Sequence, residues 1–199
     1  MNGYILRTEK KKEQILRTAF DLLCTYGAKK MSIAEVAKKA NVSPVTIYNY
    51  FESKDQLIRS TLFFIMENRI AVYEAILSQD IPFHEKMKKI MIDQEETEEN
   101  IQVNLLQSHL DDVVIKTYIE EFYQTKTLPF FTKLVKEGKK EGCIHSGISL
   151  ESILFYIHMF KEALAKPGFF AQTNPSMLRD LDHLLYYGLI GTPNRKTIT

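Results

Sequence analysis

The sequence predicts an all-α fold: an N-terminal three-helix unit with a helix-turn-helix, followed by a larger helical domain. Three observations predict it. Apolar residues recur at three- and four-residue spacing through almost every long segment. No apolar/polar alternation persists for a strand's length, and no Asn-Gly or Asp-Gly hairpin turn occurs. Serine, asparagine and proline stand where helix N-termini need them.

The first helix carries Ile15, Ala19, Phe20, Leu23 and Tyr26 on one face, and Gly27 follows as its C-cap. Ser32-Ile33-Ala34-Glu35 is a capping box, with Met31 and Val36 as its hydrophobic staple. Ser43 caps the next helix, with Pro44 at the first helical position and Val42/Ile47 as staple. Only Asn41 and its neighbours are left for the turn between these two helices, and Asn tolerates the left-handed conformation such a turn requires. Ser53-Lys54-Asp55-Gln56 opens a third helix with another capping box. Further helices are expected over 57–77, 83–96, about 100–111, 114–141, 149–166 and 175–189, eight to ten in all. Lys166-Pro167-Gly168 stops the penultimate one, and Asn174-Pro175 starts the last. The acidic patch Asp93, Glu95, Glu96, Glu98 and Glu99 reads as a solvated helix end or loop.

Composition narrows the function classes. At 45% hydrophobic and 26% charged, the 199 residues can bury a core and are neither collagen-like nor disordered. A membrane span needs roughly 18 consecutive apolar residues, and runs such as 62–66 and 153–157 are far shorter. The N-terminal segment turns into Lys10-Lys11-Lys12 without an apolar stretch before it, so no secretory signal is read and a cytoplasmic protein is expected. Cys24 and Cys143 make neither a disulfide framework nor a metal knuckle, and the five histidines lack close ligand spacing. No metal or cofactor is expected. Nucleophile elbow, Walker loop, dinucleotide fingerprint and His-Glu-x-x-His are all missing. Charge is uneven: residues 1–60 hold 11 Lys/Arg against 6 Asp/Glu, net +5, while the rest is net −4. A basic end suggests a polyanionic partner, although lysines also simply solvate a surface.

Caps alone leave the helix-turn-helix open between a DNA-reading element and a plain helical corner. The run from Ile33 to Leu57 resembles the DNA-binding signature of TetR-family regulators, over about residues 10–60. Its Ile-Tyr-x-Tyr-Phe-x-Ser-Lys-Asp-x-Leu portion, Ile47 to Leu57, is the most specific part. Asn41 stands where that family usually has Gly, and Val45 where Gly is common. A recognition helix presents its N-terminal residues to base edges, which nominates Pro44, Val45, Thr46 and Asn49. Val45 or the Thr46 methyl suits a thymine methyl, and Asn49 suits adenine. The resemblance implies phosphate contacts from Tyr48 and from Lys54 at the next helix's N-terminus. Ser32 and Ser43 can cap and contact the backbone as well; Tyr50 reads as either core or DNA contact, and Phe51 as core.

The resemblance divides the chain into a DNA-binding domain at 1–54, a helical ligand-binding and dimerisation domain at 55–191, and a flexible tail at 192–199. It implies that the final two long helices pair with those of a second subunit, through Ile153, Ile157, Phe160, Leu164, Leu178, Leu181, Leu185 and Leu189. The bland alternative makes both helices central within one subunit. Candidate effector contacts are Met66, Arg69, Tyr73, His109, Phe122, Phe130, Phe155 and Met159, each of which also reads as plain core. The expectation is a ligand-responsive repressor and not an enzyme. It would bind a palindromic operator as a homodimer and be released by a small apolar or aromatic effector. The alternatives are a helical carrier or enzyme with no DNA role, and a sequence-indifferent DNA packer, which would carry arginines in its groove helix.

Overall fold

A computed structural model describes residues 3–91, 109, 111–164 and 175–190. In chain order the helices are α1 (Gly3–Lys30), α2 (Ile33–Lys39), α3 (Pro44–Phe51), α4 (Lys54–Leu77) and α5 (Phe83–Met91). They continue with α6 (Val113–Phe122), α7 (Leu128–Lys140), α8 (Leu150–Leu164) and α9 (Pro175–Ile190). No strand occurs among the described residues, and no helix there is long and apolar enough to cross a membrane. The expected helix at 100–111, the acidic patch, the stop after Lys166 and the tail at 192–199 lie outside the described residues, apart from His109 and Asp111.

The chain forms two compact units, one running to Arg69 and including the stretch up to Tyr118, the other comprising the rest. The first is built around α1. Ile15, Ala19, Leu22 and Leu23 of α1, Val36 and Ala37 of α2, Ile47 and Phe51 of α3, and Leu57, Ile58 and Leu62 of α4 are all buried, with α2 packed on both α1 and α3. Gly27, at φ 73° and ψ 165°, breaks α1 after Tyr26, where the sequence places its cap. Arg59 Nε donates to Asp112 Oδ2 at 2.8 Å, and Asp112 Oδ1 accepts from the amides of Val114 (2.9 Å) and Ile115 (3.3 Å). Asp112 thus caps α6 while holding α4, and the Arg59 hydrogen bond keeps its carboxyl below the usual value. One turn of α4 further on, Phe63 stacks on Tyr118 with ring centroids 3.7 Å apart, and Tyr118 Oη donates to Glu67 Oε1 at 3.1 Å.

In the second unit α7 passes α5 at Gly138. A Cβ there would stand 2.6 Å from Phe83 Cζ and 2.7 Å from Ile144 Cδ1, so only glycine lets the two helices approach. Lys86 is buried, and its Nζ donates to Glu137 Oε1 at 2.6 Å and to Leu77 O at 2.9 Å. One turn on, Glu141 Oε2 accepts from the Phe83 amide at 3.1 Å. Carboxylates in α7 and at its C-cap therefore fasten the start of α5.

The expected single helix over 114–141 is interrupted. Tyr123–Thr127 form a π turn in which the Leu128 amide donates to Tyr123 O, five residues back. Proline inside an α-helix clashes with the carbonyl four residues before it. Pro129 falls two residues after this wider turn, at the second position of α7. Helices α8 and α9 pack on one another, α8 on α7 and α9 on α5.

The Gly138 contact yields a prediction. Gly138→Ala gains about 1 kcal/mol of helix propensity but overpacks a site closed by the buried Phe83 ring, which costs about 1–3 kcal/mol. Urea unfolding is expected to show a net loss of stability, although the same substitution in an open helix would raise it.

Candidate nucleic-acid interface

Three serines and one asparagine set the geometry of α2, α3 and the start of α4. Ser32, in extended conformation, accepts from the Glu35 amide at 3.2 Å through its Oγ, which starts α2. The helix ends when Ala40 N donates to Val36 O (2.8 Å) and Val42 N donates to Ala37 O (3.0 Å), with Asn41 between them at φ 51°. That six-to-one bond with a left-handed residue inside is the glycine-type helix stop, here made with asparagine. Ser43 then accepts from the Thr46 amide at 3.1 Å, and the Ser43 and Thr46 hydroxyls lie 2.9 Å apart.

The far end of α3 holds a feature without a sequence signal. Glu52 has φ 62° and ψ −41°, and the Ser53 amide donates to Phe51 O at 2.6 Å. This is a three-residue γ-turn with a positive central φ, a rare and strained form for a residue with a side chain. It turns the chain at once into α4, whose Ser53 cap accepts from the Gln56 amide at 3.1 Å.

Helix α3 is two turns long and contains no charged residue. Ile47 and Phe51 are buried and root it. Ser43, Pro44, Val45 (65% exposed), Tyr48 (50%) and Asn49 are exposed together on the opposite side. Thr46 is half-buried, as is Lys54 at the start of α4; Ser32 is exposed. Tyr50 is half-buried between the two expected roles: its ring meets the Phe51 ring edge-on, and the Lys12 ammonium lies 5.7 Å above its centre.

The expected effector contacts are divided between the two units. Met66, Arg69 and His109 belong to the first unit and are half-buried. In the second unit Phe130 is buried against Tyr73 (5.8 Å between centroids) and Phe131 (5.4 Å), and Phe122 is buried as well. Phe155 (63% exposed) and Met159 stand on the outside of α8, away from that interior set. A buried polar group lies near the π turn. Among the described residues His158 Nδ1 is buried without a hydrogen-bond partner, and its ring is 5.5 Å from that of Tyr123. Burial, then the carboxylates of Glu120 and Glu162, push the Tyr123 phenol up. A lone histidine carries no spacing signal. Among the described residues no cluster of three His, Cys, Asp or Glu is placed to hold a metal ion.

The expected subunit-facing residues differ in their burial within the chain. Ile153, Ile157, Leu185 and Leu189 are buried within the chain itself, because α8 and α9 turn that stripe into their own unit's core. Phe160 and Leu181 are half-buried, and the side chains of Leu164 and Leu178 lie outside the described residues. The exposed apolar surface of the two helices is the neighbouring face: Phe155, Tyr156 and Met159 on α8, Leu184 (65% exposed) and Tyr187 on α9.

Residues 15–61 match the family described as bacterial regulatory proteins, tetR family. Over 190 residues the chain is 27% identical to the helix-turn-helix-type transcriptional regulator YdeS of Bacillus subtilis, covering 94% of this chain and 93% of that one. A TetR transcription regulator from Haloarcula marismortui is similar in structure, with TM-score 0.69 at 12% identity over 89% of this chain and 95% of the other. The regulator FadR of Bacillus subtilis, solved with stearoyl-CoA, gives 0.55 at 19% identity over 89% and 98%. At such identities the two structures establish the shared fold.

The turn at Asn41 is testable by stability alone. An alanine in the left-handed conformation is unfavourable by about 1–2 kcal/mol, and glycine is not. Asn41→Ala is expected to lower unfolding free energy by about 1 kcal/mol, and Asn41→Gly to leave it within about 0.5 kcal/mol. Equal losses in both would show that the asparagine side chain, rather than its backbone conformation, matters.

Proposed function

We propose that this chain, whose residues 15–61 match the tetR family of bacterial regulatory proteins, is a cytoplasmic, non-enzymatic repressor that binds a palindromic operator as a homodimer and is released by a small apolar or aromatic effector. The observation that carries this reading is the face of α3: an uncharged, two-turn helix with Pro44, Val45, Tyr48 and Asn49 exposed together over a buried Ile47–Phe51 root. In a major groove Asn49 has the amide geometry for adenine, and Val45 and the Thr46 methyl fit thymine methyls. Tyr48 and Lys54 serve phosphates, with Ser32, Ser43 and the Tyr50 hydroxyl beside them. The lack of charge on α3 favours base reading over indiscriminate packing, which relies on arginine.

A two-turn helix reads only a few base pairs, so a genomic site needs two copies. The exposed face of Phe155, Tyr156, Met159, Leu184 and Tyr187 supports two-fold pairing, because large apolar side chains gathered on adjacent helices are unusual on a monomer. For the effector, the buried Tyr73–Phe130 pair and Phe122 support an apolar ligand, and the unpaired His158 Nδ1 supports a polar contact. The stearoyl-CoA bound by the Bacillus subtilis FadR is consistent with an apolar effector.

Two measurements test this. Asn49→Ala and Val45→Gly are expected to change which duplex is selected, by about 1–3 kcal/mol per lost base contact. Lys54→Ala should instead weaken all duplexes alike and flatten the salt slope by about 1. Duplex binding that is indifferent to salt, or absent, would favour the carrier reading. For assembly, Leu184→Glu places a charge on an exposed position, so the fold survives. The variant should sediment as a monomer with unchanged helical circular dichroism and bind a palindrome much more weakly. A wild type that is monomeric at micromolar concentration would contradict the dimer.

A further inference from the structure

Helix α1 begins at Gly3, twelve residues before the segment that matches the family. Those extra turns carry four cations. Lys12 has a defined place: its ammonium pairs with Glu9 at 3.3 Å and lies 5.7 Å above the ring of Tyr50, on the recognition helix α3. The N-terminal half of α1 is thereby fixed beside the C-terminal end of α3. Arg7, Lys10 and Lys11 are exposed, and their i, i+3, i+4 spacing sets all three on one face of the helix. The nearest carboxylates on the same helix are engaged elsewhere, Glu9 by Lys12 and Glu13 by Arg17 at 2.9 Å. Among the described residues, Arg7, Lys10 and Lys11 have no hydrogen-bond or ion-pair partner.

Three unneutralised like charges at this spacing repel one another and weaken the helix that carries them. A row of phosphates beside them would reverse the sign of that contribution. We infer that the first turns of α1 form a second DNA-contacting element, whose Arg7, Lys10 and Lys11 hold the phosphate backbone that flanks the segment read by α3. The inference rests on the DNA reading above and extends its footprint beyond the base pairs facing α3. Charge complementarity and continuity with α3 through Lys12 and Tyr50 support it. The contact is with backbone only, so it adds affinity without adding sequence preference.

The test uses the full chain with Arg7→Gln, Lys10→Gln and Lys11→Gln combined, and a second variant with both lysines changed to arginine. Binding to the selected operator is titrated against salt by fluorescence anisotropy, in a duplex of about 40 base pairs and in one trimmed to the operator. Each neutralised phosphate contributes about 0.9 to the salt slope, so the glutamine variant should flatten the slope on the long duplex by up to about 3. Operator choice should not change, the arginine variant should keep the wild-type slope, and trimming should bring the wild type towards the glutamine variant. An unchanged slope in the glutamine variant overturns the inference; if Lys54→Ala still flattens it, the DNA reading itself stands. A wild type without any salt-dependent duplex binding overturns both. Unaltered DNA binding, with loss of binding to anionic phosphatidylglycerol vesicles, assigns the ridge to a membrane surface and also overturns it.

Discussion

A recognition helix of eight residues cannot hold itself together. Helix nucleation is unfavourable, and isolated helices shorter than about 12 residues are marginal in water. Everything around α3 supplies what it lacks. Ser43 satisfies an orphan amide at one end, the γ-turn at Glu52 fixes the other, and Ile47 and Phe51 are buried, with α2 packed on α3. Two turns with such a root leave one side free, and that free side is the surface proposed to meet DNA. Lengthening the helix or charging it would relax the constraint while blurring what it reads.

The second unit solves its packing differently. Helices α5 and α7 approach so closely that no side chain fits at Gly138, and the buried Lys86 is held by Glu137 and the Leu77 carbonyl. A buried charge is tolerated only when paired and hydrogen-bonded, so this junction is rigid by construction. The π turn at Tyr123–Thr127 is the contrasting place. Wider turns have poorer geometry and recur at functional sites, and this one lies beside the unpaired nitrogen of His158.

How much was legible in the sequence follows from the range of each interaction. The caps at Ser32, Ser43 and Ser53 and the stop at Asn41 are made within three to five residues, so sequence alone placed them. The reading face of α3 followed, since Ile47 and Phe51 had to point inward. Glu52 was illegible because nothing about glutamate predicts a positive φ. The interruption at Tyr123 was foreshadowed by Pro129, but proline marks a break without saying what form it takes. Helices α8 and α9 show where local pattern stops being informative. Periodicity shows that Ile153, Ile157, Leu185 and Leu189 share a face, yet not what covers that face. Tertiary packing used it inside the chain, leaving Phe155 and Leu184 outside. Apolar breadth on a helix is a local fact; the identity of the neighbour is not.

The central claim is that two copies of α3 read DNA across a two-fold axis. Selection from random duplex with the wild-type protein tests it most directly. The account predicts enrichment of an inverted repeat whose half-sites are spaced by about one helical turn, roughly 34 Å, or a multiple of it. Enrichment of a single unrepeated element, or of no sequence at all, would contradict it.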